Sequence, residues 1–345
     1  MFGPAPIVRK ISPEIRGDRR LSTERPANCD SLRDLGRGAV RDNGGMTLTG
    51  TQHTITAGPY RAVVTEQGGT LRSLTRGGRP LVLEHDPDDV VPAAFGQLLA
   101  PWPNRIDRGV YVFEGAEQRT PVTEPERDCA IHGLVRWESW TAGEHGDSSV
   151  TLRHRILGRP GYPYRLDLAV TYALDAERGL TATLSATNSG TRNAPYGQSA
   201  HPYLTVGLPL DKCTVTFGAT HYQPVNDRLI PSGAPVPVTG TRYDLTAGGR
   251  FGDRRIDTAY TGLPYGEGRV WVGLSGGGRT VGLWADENHP WLQLYTADDL
   301  PGEKARTGLA VEPMTCPPNA FNTGVDLITL KPGDTFSGSW GIISL

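Results

Sequence analysis

Apolar and polar residues alternate with a period of two along most of the chain beyond residue 46. The alternation is clearest at 47–49, 54–56, 60–64, 149–152, 166–172 and 180–184, where Val, Leu, Ile, Thr and Tyr recur. That period belongs to a strand with one buried face, and β-branched and aromatic residues pack well on a pleated surface. Turn signals separate the runs about every ten residues. They include Gly68-Gly69, Gly77-Gly78, residues 175–179, Asn188-Ser189-Gly190 and Gly276-Gly277-Gly278. The last of these divides residues 269–274 from 280–284 and predicts a hairpin. No long segment carries the helical period, and 44 Gly and 28 Pro disfavour long helices. Many short antiparallel strands predict an all-β fold, a large sandwich or barrel, in one domain over residues 46–345.

Residues 1–45 differ from the rest. They hold nine Lys/Arg and six Asp/Glu, no Trp or Tyr, and no regular apolar period. Such a segment cannot offset its ordering entropy by burial, so it is expected to be disordered, or an extension upstream of a true start at Met46.

Composition narrows the function. The formal charge of −2 gives no field for nucleic acid or an anionic membrane. Cys29, Cys129, Cys213 and Cys316 are scattered without a CxxC pair, as in a reducing compartment. No apolar run approaches the roughly 20 residues of a membrane helix, and no secretory signal core opens the chain. A cytoplasmic location is expected. The phosphate-loop, dinucleotide and HExxH motifs are absent. Gly197-Gln198-Ser199-Ala200-His201 lacks the closing glycine of a nucleophile elbow. His132, His201 and Glu312 lie too far apart in sequence to form a local metal-ligand pair, so no metal or cofactor is expected.

Four short segments remain as candidate chemistry. His201 precedes Pro202 and Tyr203 after an apparent strand at 193–200, and the proline biases it to extended backbone at a loop mouth. His132 precedes Gly133, which removes a side chain that would crowd a ligand, and Trp137 and Trp140 offer flat faces nearby. Arg105 sits in the stiff run Pro101-Trp102-Pro103-Asn104-Arg105-Ile106, a fork of donors for vicinal hydroxyls. Glu312 ends the apolar run 308–311, at a pocket floor or its rim. Asp257 is a weaker candidate. Each has an ordinary structural alternative: a hydrogen-bonded histidine, a core Trp, a surface ion pair, a turn cap. Together they supply what moves protons on and off a sugar, imidazole being the side chain that titrates near neutrality.

Taken in order, the segments resemble the aldose 1-epimerase (mutarotase) family over roughly 300 residues. The matching pieces are 101–106 followed by Gly109, Tyr111, Phe113 and Gly115; His132-Gly133; His201-Pro202-Tyr203; Ile256-Asp257; and Glu312-Pro313 with Pro318, Asn319-Ala320-Phe321-Asn322. The resemblance implies a large antiparallel β-sandwich, the galactose mutarotase-like supersandwich. It implies an isomerase interconverting the α and β anomers of a hexose, without a cofactor. Glu312 would be the general base on the anomeric hydroxyl. Protonated His201 would be the general acid on the ring oxygen. Arg105, His132 and Asp257 would hold hydroxyls, helped by Asn104 and Tyr203. Two departures leave the sugar open: residues 126–131 are not Asn-rich, and Met314 stands where a Gln is common.

Two other functions fit the same residues. One is an epimerase of an anionic sugar, a hexose 6-phosphate or sulfosugar, which needs further cations such as Arg136, Arg72 or Arg306. The other is a non-catalytic sugar-binding protein. Oligomeric state is not legible.

Overall fold

In the computed structural model, which describes residues 47–300 and 302–345, the alternating segments pair into two eight-stranded antiparallel sheets. The expectation for residues 1–45 lies outside the described residues. The first sheet runs, edge to edge, Thr141–His145, Ser149–Ile156, Leu166–Asp175, Gly179–Asn188, Thr335–Ser344, Arg279–Asp286, Arg269–Gly276 and Thr214–Phe217. Its strands alternate because only one face is buried. Leu168 opposes Ala186, Val170 opposes Leu184 and Tyr172 opposes Ala182, all inward. Between them Thr171 and Thr183 face outward and bond to Thr151 and Ser339, each at 2.8 Å. Each buried Leu or Val on the inner face contributes roughly 1.5–3 kcal/mol of transfer free energy.

The second sheet runs Val236–Pro237, His221–Tyr222, Asp257–Thr261, Trp291–Tyr295, Leu309–Met314, Ser199–Ala200 and Leu98–Leu99, and Tyr203–Leu204 also pairs with Leu309–Met314. Leu292, Leu294, Leu309 and Val311 join Leu168, Val170, Leu184 and Leu283 of the first sheet in one apolar cluster. The two sheets therefore face each other across a shared core, as in a β-sandwich. A four-stranded antiparallel sheet, spanning Gln52–Ala57 to Arg79–Pro80, adds Ile55, Val64 and Leu74 to that core. The all-β expectation holds. So does the hairpin, formed by Arg269–Gly276 and Arg279–Asp286.

Two local expectations fail. Residues 47–49 lie in a turn rather than a strand, with Gly50 bonding back to the Thr47 carbonyl. The strand expected at 193–200 is broken into Ala194–Tyr196 and Ser199–Ala200. Gly197 packs there against Cys316 and Pro103, and a Cβ would lie 2.5 Å from the Cys316 sulfur. No helix among the described residues is long and apolar enough to cross a membrane.

Candidate functional site

The strand Leu309–Met314 is buried at every position, so its sequence does not alternate. Leu309 and Val311 face the inter-sheet core, whereas Ala310 and Met314 belong to separate clusters on the opposite face. Glu312 shares that opposite face and sits mid-strand, not at its end as the apolar run had suggested. Gln293 is its register partner on the neighbouring strand.

His201 reaches the same face through a strand break. Ser199 pairs with Met314 and Tyr203 pairs with Ala310, so His201 falls opposite Glu312 and Pro202 opposite Val311. Proline cannot donate to the ladder, and its carbonyl instead accepts the Val311 amide at 3.1 Å. The His201 amide donates to the Gln97 carbonyl at 3.0 Å and its carbonyl accepts from Gly96 at 2.9 Å, which fixes the backbone. The ring stacks on Tyr203, with centroids 5.0 Å apart and planes 21° apart. His201 Nε2 lies 3.2 Å from Glu312 Oε1, with both side chains almost wholly buried. Within the protein Glu312 Oε2 and His201 Nδ1 make no hydrogen bond.

The remaining predicted residues come from loops over this face. Arg105 begins a short strand, Arg105–Asp107, paired with Cys129–Ile131. Asn319 holds it by donating its amide to the Arg105 carbonyl at 2.7 Å and accepting the Asp107 amide at 3.0 Å. The Asn319–Asn322 motif thus braces the site rather than entering it. The Arg105 guanidinium donates to both Glu124 oxygens, at 2.6 and 2.8 Å, and to Asn104 Oδ1 at 3.2 Å. Glu124 also accepts from Arg127 at 3.0 Å. His132 and Gly133 adopt left-handed backbone, φ 65° and 69°. A Cβ on Gly133 would lie 2.1 Å from the Ala100 carbonyl oxygen. Glycine is required there by a backbone approach, not by crowding of a ligand. The His132 ring meets His201 edge-on at 5.4 Å.

All seven sequence-derived candidates, Asn104, Arg105, His132, His201, Tyr203, Asp257 and Glu312, line one cavity of about 310 Å³. That volume suits a small ligand. Asp257 starts its strand and accepts Gln293 Nε2 at 2.6 Å, so it is a cavity residue rather than a turn cap. The Tyr203 hydroxyl is engaged by the Ala93 carbonyl at 2.9 Å, and its ring is the part that touches His201. Glu124, Arg136, Tyr295 and Asp299 also line the cavity and were not among the sequence-derived site residues, though Arg136 was weighed as a cation. Trp140 is fully buried in the core and Trp137 is exposed, and neither forms a sugar platform in the cavity. Arg72 bonds the His85 carbonyl and Arg306 bonds Asp211 and Asp298, away from the cavity. Among the described residues no cluster of His, Cys, Asp or Glu has metal-binding geometry.

Burial sets the electrostatics. It holds the Glu312 carboxyl well above its ordinary range, and nearby Asp257 reinforces this while Arg105 opposes it. Burial lowers the His201 imidazole to about 3. Burial thus favours the uncharged form of both groups, the carboxylic acid of Glu312 and the neutral imidazole of His201. Burial also raises Asp257 and depresses His132, the latter well below its usual value with His201 next in effect. Such a set can bind hydroxyls and relay a proton between two fixed points.

The aldose 1-epimerase family profile matches residues 51–342 of the chain. Uncharacterized protein YihR of Escherichia coli is 34% identical over 290 residues, covering 84% of this chain and 91% of that protein. Galactose mutarotase of Sus scrofa is 27% identical over 278 residues, covering 73% of this chain and 79% of the other. Among solved structures, the GalM/aldose epimerase homologue from C. elegans superposes with a TM-score of 0.76 at 20% identity, covering 86% of this chain and 98% of its own. Galactose 1-epimerase from Lactobacillus acidophilus gives 0.73 at 20% identity, covering 84% and 93%.

Proposed function

The chain belongs to the aldose 1-epimerase family, a family of isomerases acting on sugars, and from that premise we propose that it interconverts the α and β anomers of a hexose by acid–base ring opening. The observation that carries this reading is the 3.2 Å contact between His201 Nε2 and Glu312 Oε1 inside the cavity. Two groups so close can serve the two oxygens of one hemiacetal carbon. Sugar hydroxyls supply hydrogen bonds to Glu312 that burial alone denies it, so its proton crosses to His201. Glu312 then takes the proton of the anomeric hydroxyl as a carbonyl forms at that carbon. The bond to the ring oxygen breaks, its electron pair stays on that oxygen, and His201 gives it the proton. Rotation about the bond to the next carbon presents the other carbonyl face, and the steps reverse. Each placed acid or base accelerates such a step about 10²–10⁴-fold.

Arg105, Asn104, His132 and Asp257 hold the hydroxyls, and Tyr203 backs the His201 ring. Three buried free thiols, Cys129, Cys213 and Cys316, accord with a cytoplasmic setting. A non-catalytic binding protein fits less well, because a buried carboxyl against an imidazole costs desolvation that binding alone does not require. The test is NMR exchange between α- and β-glucose and α- and β-galactose with the full chain. The reading expects exchange far above the buffer rate; sugar binding without acceleration would overturn it.

A further inference from the structure

Arg228 stands outside the cavity and reaches a segment 100 residues earlier in the chain. Its guanidinium donates Nε to the Arg127 carbonyl at 2.9 Å. Nη2 donates to the Asp128 carbonyl at 3.0 Å and to Asp107 Oδ1 at 2.6 Å. The base of the side chain is equally fixed. Asn226 Oδ1 accepts the Arg228 and Ile230 amides at 2.9 and 3.1 Å, and the Asn226 amide donates to the Ile230 carbonyl at 2.9 Å. A rigid guanidinium fork on such a base serves three acceptors from one position, whereas an ammonium on a flexible stem holds no such geometry.

The segment that Arg228 holds is a turn with a firm base and a weak crown. The Thr123 and Glu124 amides both donate to the Cys129 carbonyl at 3.0 Å and close the base. Over the crown, the bonds from Arg127 to Glu124, Asp128 to Pro125 and Cys129 to Glu124 are each 3.2 Å, at the long end of the N–H···O range. Asp128 sits there in left-handed backbone at φ 50°, which a residue with a side chain keeps only where its surroundings fix it. The crown reports to the cavity through Arg127. Its Nη1 donates to Glu124 Oε1 at 3.0 Å, and Glu124 in turn grips Arg105 at 2.6 and 2.8 Å.

Resting on the proposed reaction, we infer that Arg228 is a positioning residue for sugar binding: it fixes the crown of this turn, the crown holds Glu124 through Arg127, and Glu124 sets the Arg105 guanidinium against the sugar hydroxyls. Asp107 anchors Arg228 from the far end of the short strand that Arg105 begins. This route moves no proton. Its loss therefore weakens the hold on the sugar and leaves the chemical step alone.

The test follows anomer exchange of glucose and galactose by NMR, their binding by calorimetry, and hydrogen exchange of the amides at 126–129. It uses the wild-type chain, Arg228→Ala, Arg228→Lys, Glu124→Gln, the Arg228→Ala/Glu124→Gln double variant and Arg159→Gln. Arg159 pairs with Glu138 at 3.1 Å outside the cavity and controls for loss of a surface ion pair. In Arg228→Ala, KM and Kd should rise about 5- to 20-fold, with kcat within about threefold of wild type. The amides at 126–129 should exchange at least about tenfold faster. Arg159→Gln should match wild type in all three. Arg228→Lys, which keeps the charge and loses the fork, should recover only part of the binding. In the double variant, Arg228→Ala should add less than about twofold to the KM of Glu124→Gln, because both break one route. A full multiplicative rise there, complete rescue by Lys, or a kcat loss at unchanged KM would overturn the inference and leave the reaction standing. Unchanged hydrogen exchange in Arg228→Ala would overturn it whichever sugar is used. Weaker sugar binding in Arg228→Ala, with no anomer exchange in any chain, would keep the clamp and remove the reaction.

Discussion

Glu124 grips the Arg105 guanidinium through two hydrogen bonds, of 2.6 and 2.8 Å, with both side chains less than a tenth exposed. Asn104 Oδ1, at 3.2 Å, is the other side-chain acceptor of that cation. Removing one member of a buried, hydrogen-bonded pair leaves an uncompensated charge and costs about 3–5 kcal/mol. Glu124→Ala is therefore expected to lose that much in denaturant unfolding. Its KM should rise more than its kcat falls if, as proposed, Arg105 holds hydroxyls and moves no proton. A stability loss below about 1 kcal/mol would show that the pair is not energetically coupled.

Activity should be level across neutrality. The competent pair carries one proton in total. Adding a second requires a charged His201 beside a neutral Glu312, and burial pushes that step down, to about 3 for the imidazole. Losing the last proton leaves a buried carboxylate, and burial pushes that step up. The two limbs move apart, so kcat/KM is expected to show no limb at the ordinary histidine value of 6.5. A limb centred near the ordinary histidine value of 6.5 would contradict a buried, coupled pair.

Stability carries the same signature with a definite sign. Above pH 6.5 the unfolded pair binds no proton and the folded pair still holds one on Glu312. Stability then falls as pH rises, by up to about 1.4 kcal/mol per pH unit, until the folded carboxyl itself ionises. Below 4.5 the unfolded pair binds two protons, the folded pair one, and stability falls as pH drops. Between 4.5 and 6.5 the contribution is flat. Subtracting the Glu312→Gln curve from the wild-type curve isolates the alkaline slope; parallel curves above pH 6.5 would refute it.

Gly133 tests how the His132 loop is built. An alanine there meets both left-handed backbone and the Ala100 carbonyl. The first costs about 1–2 kcal/mol and the overlap about 1–3 more. Gly133→Ala should lower Tm and, by moving His132, raise KM. An unchanged Tm would mean that the loop relaxes freely.

Much of this was legible in the sequence, for identifiable reasons. Strands such as Leu166–Asp175 have one buried face, so they alternate and announce themselves. Asn104, Arg105, His132, His201 and Glu312 lie in motifs with a stiff or distinctive local sequence, and all reach the cavity. Glu312 was misplaced at a strand end because a strand buried on both faces shows an apolar run without period. The close packing of Gly197 on Cys316, over a hundred residues away, at the break in that strand leaves no local signal. Glu124 gave no signal: it precedes a short 3-10 turn in a run of charges and gains its meaning only by folding onto Arg105.

The most direct measurement is the rate of anomer exchange, by NMR, in the wild-type chain beside Glu312→Gln and His201→Asn, each verified as folded. Each variant removes one proton carrier; Gln matches the shape of Glu, and Asn keeps a polar group in place of the imidazole. The wild type should accelerate exchange, and each variant should lose about 10²–10⁴-fold of that rate with sugar binding largely retained. Near-wild-type exchange in either variant would contradict the proposal that these two residues pass protons at one hemiacetal centre.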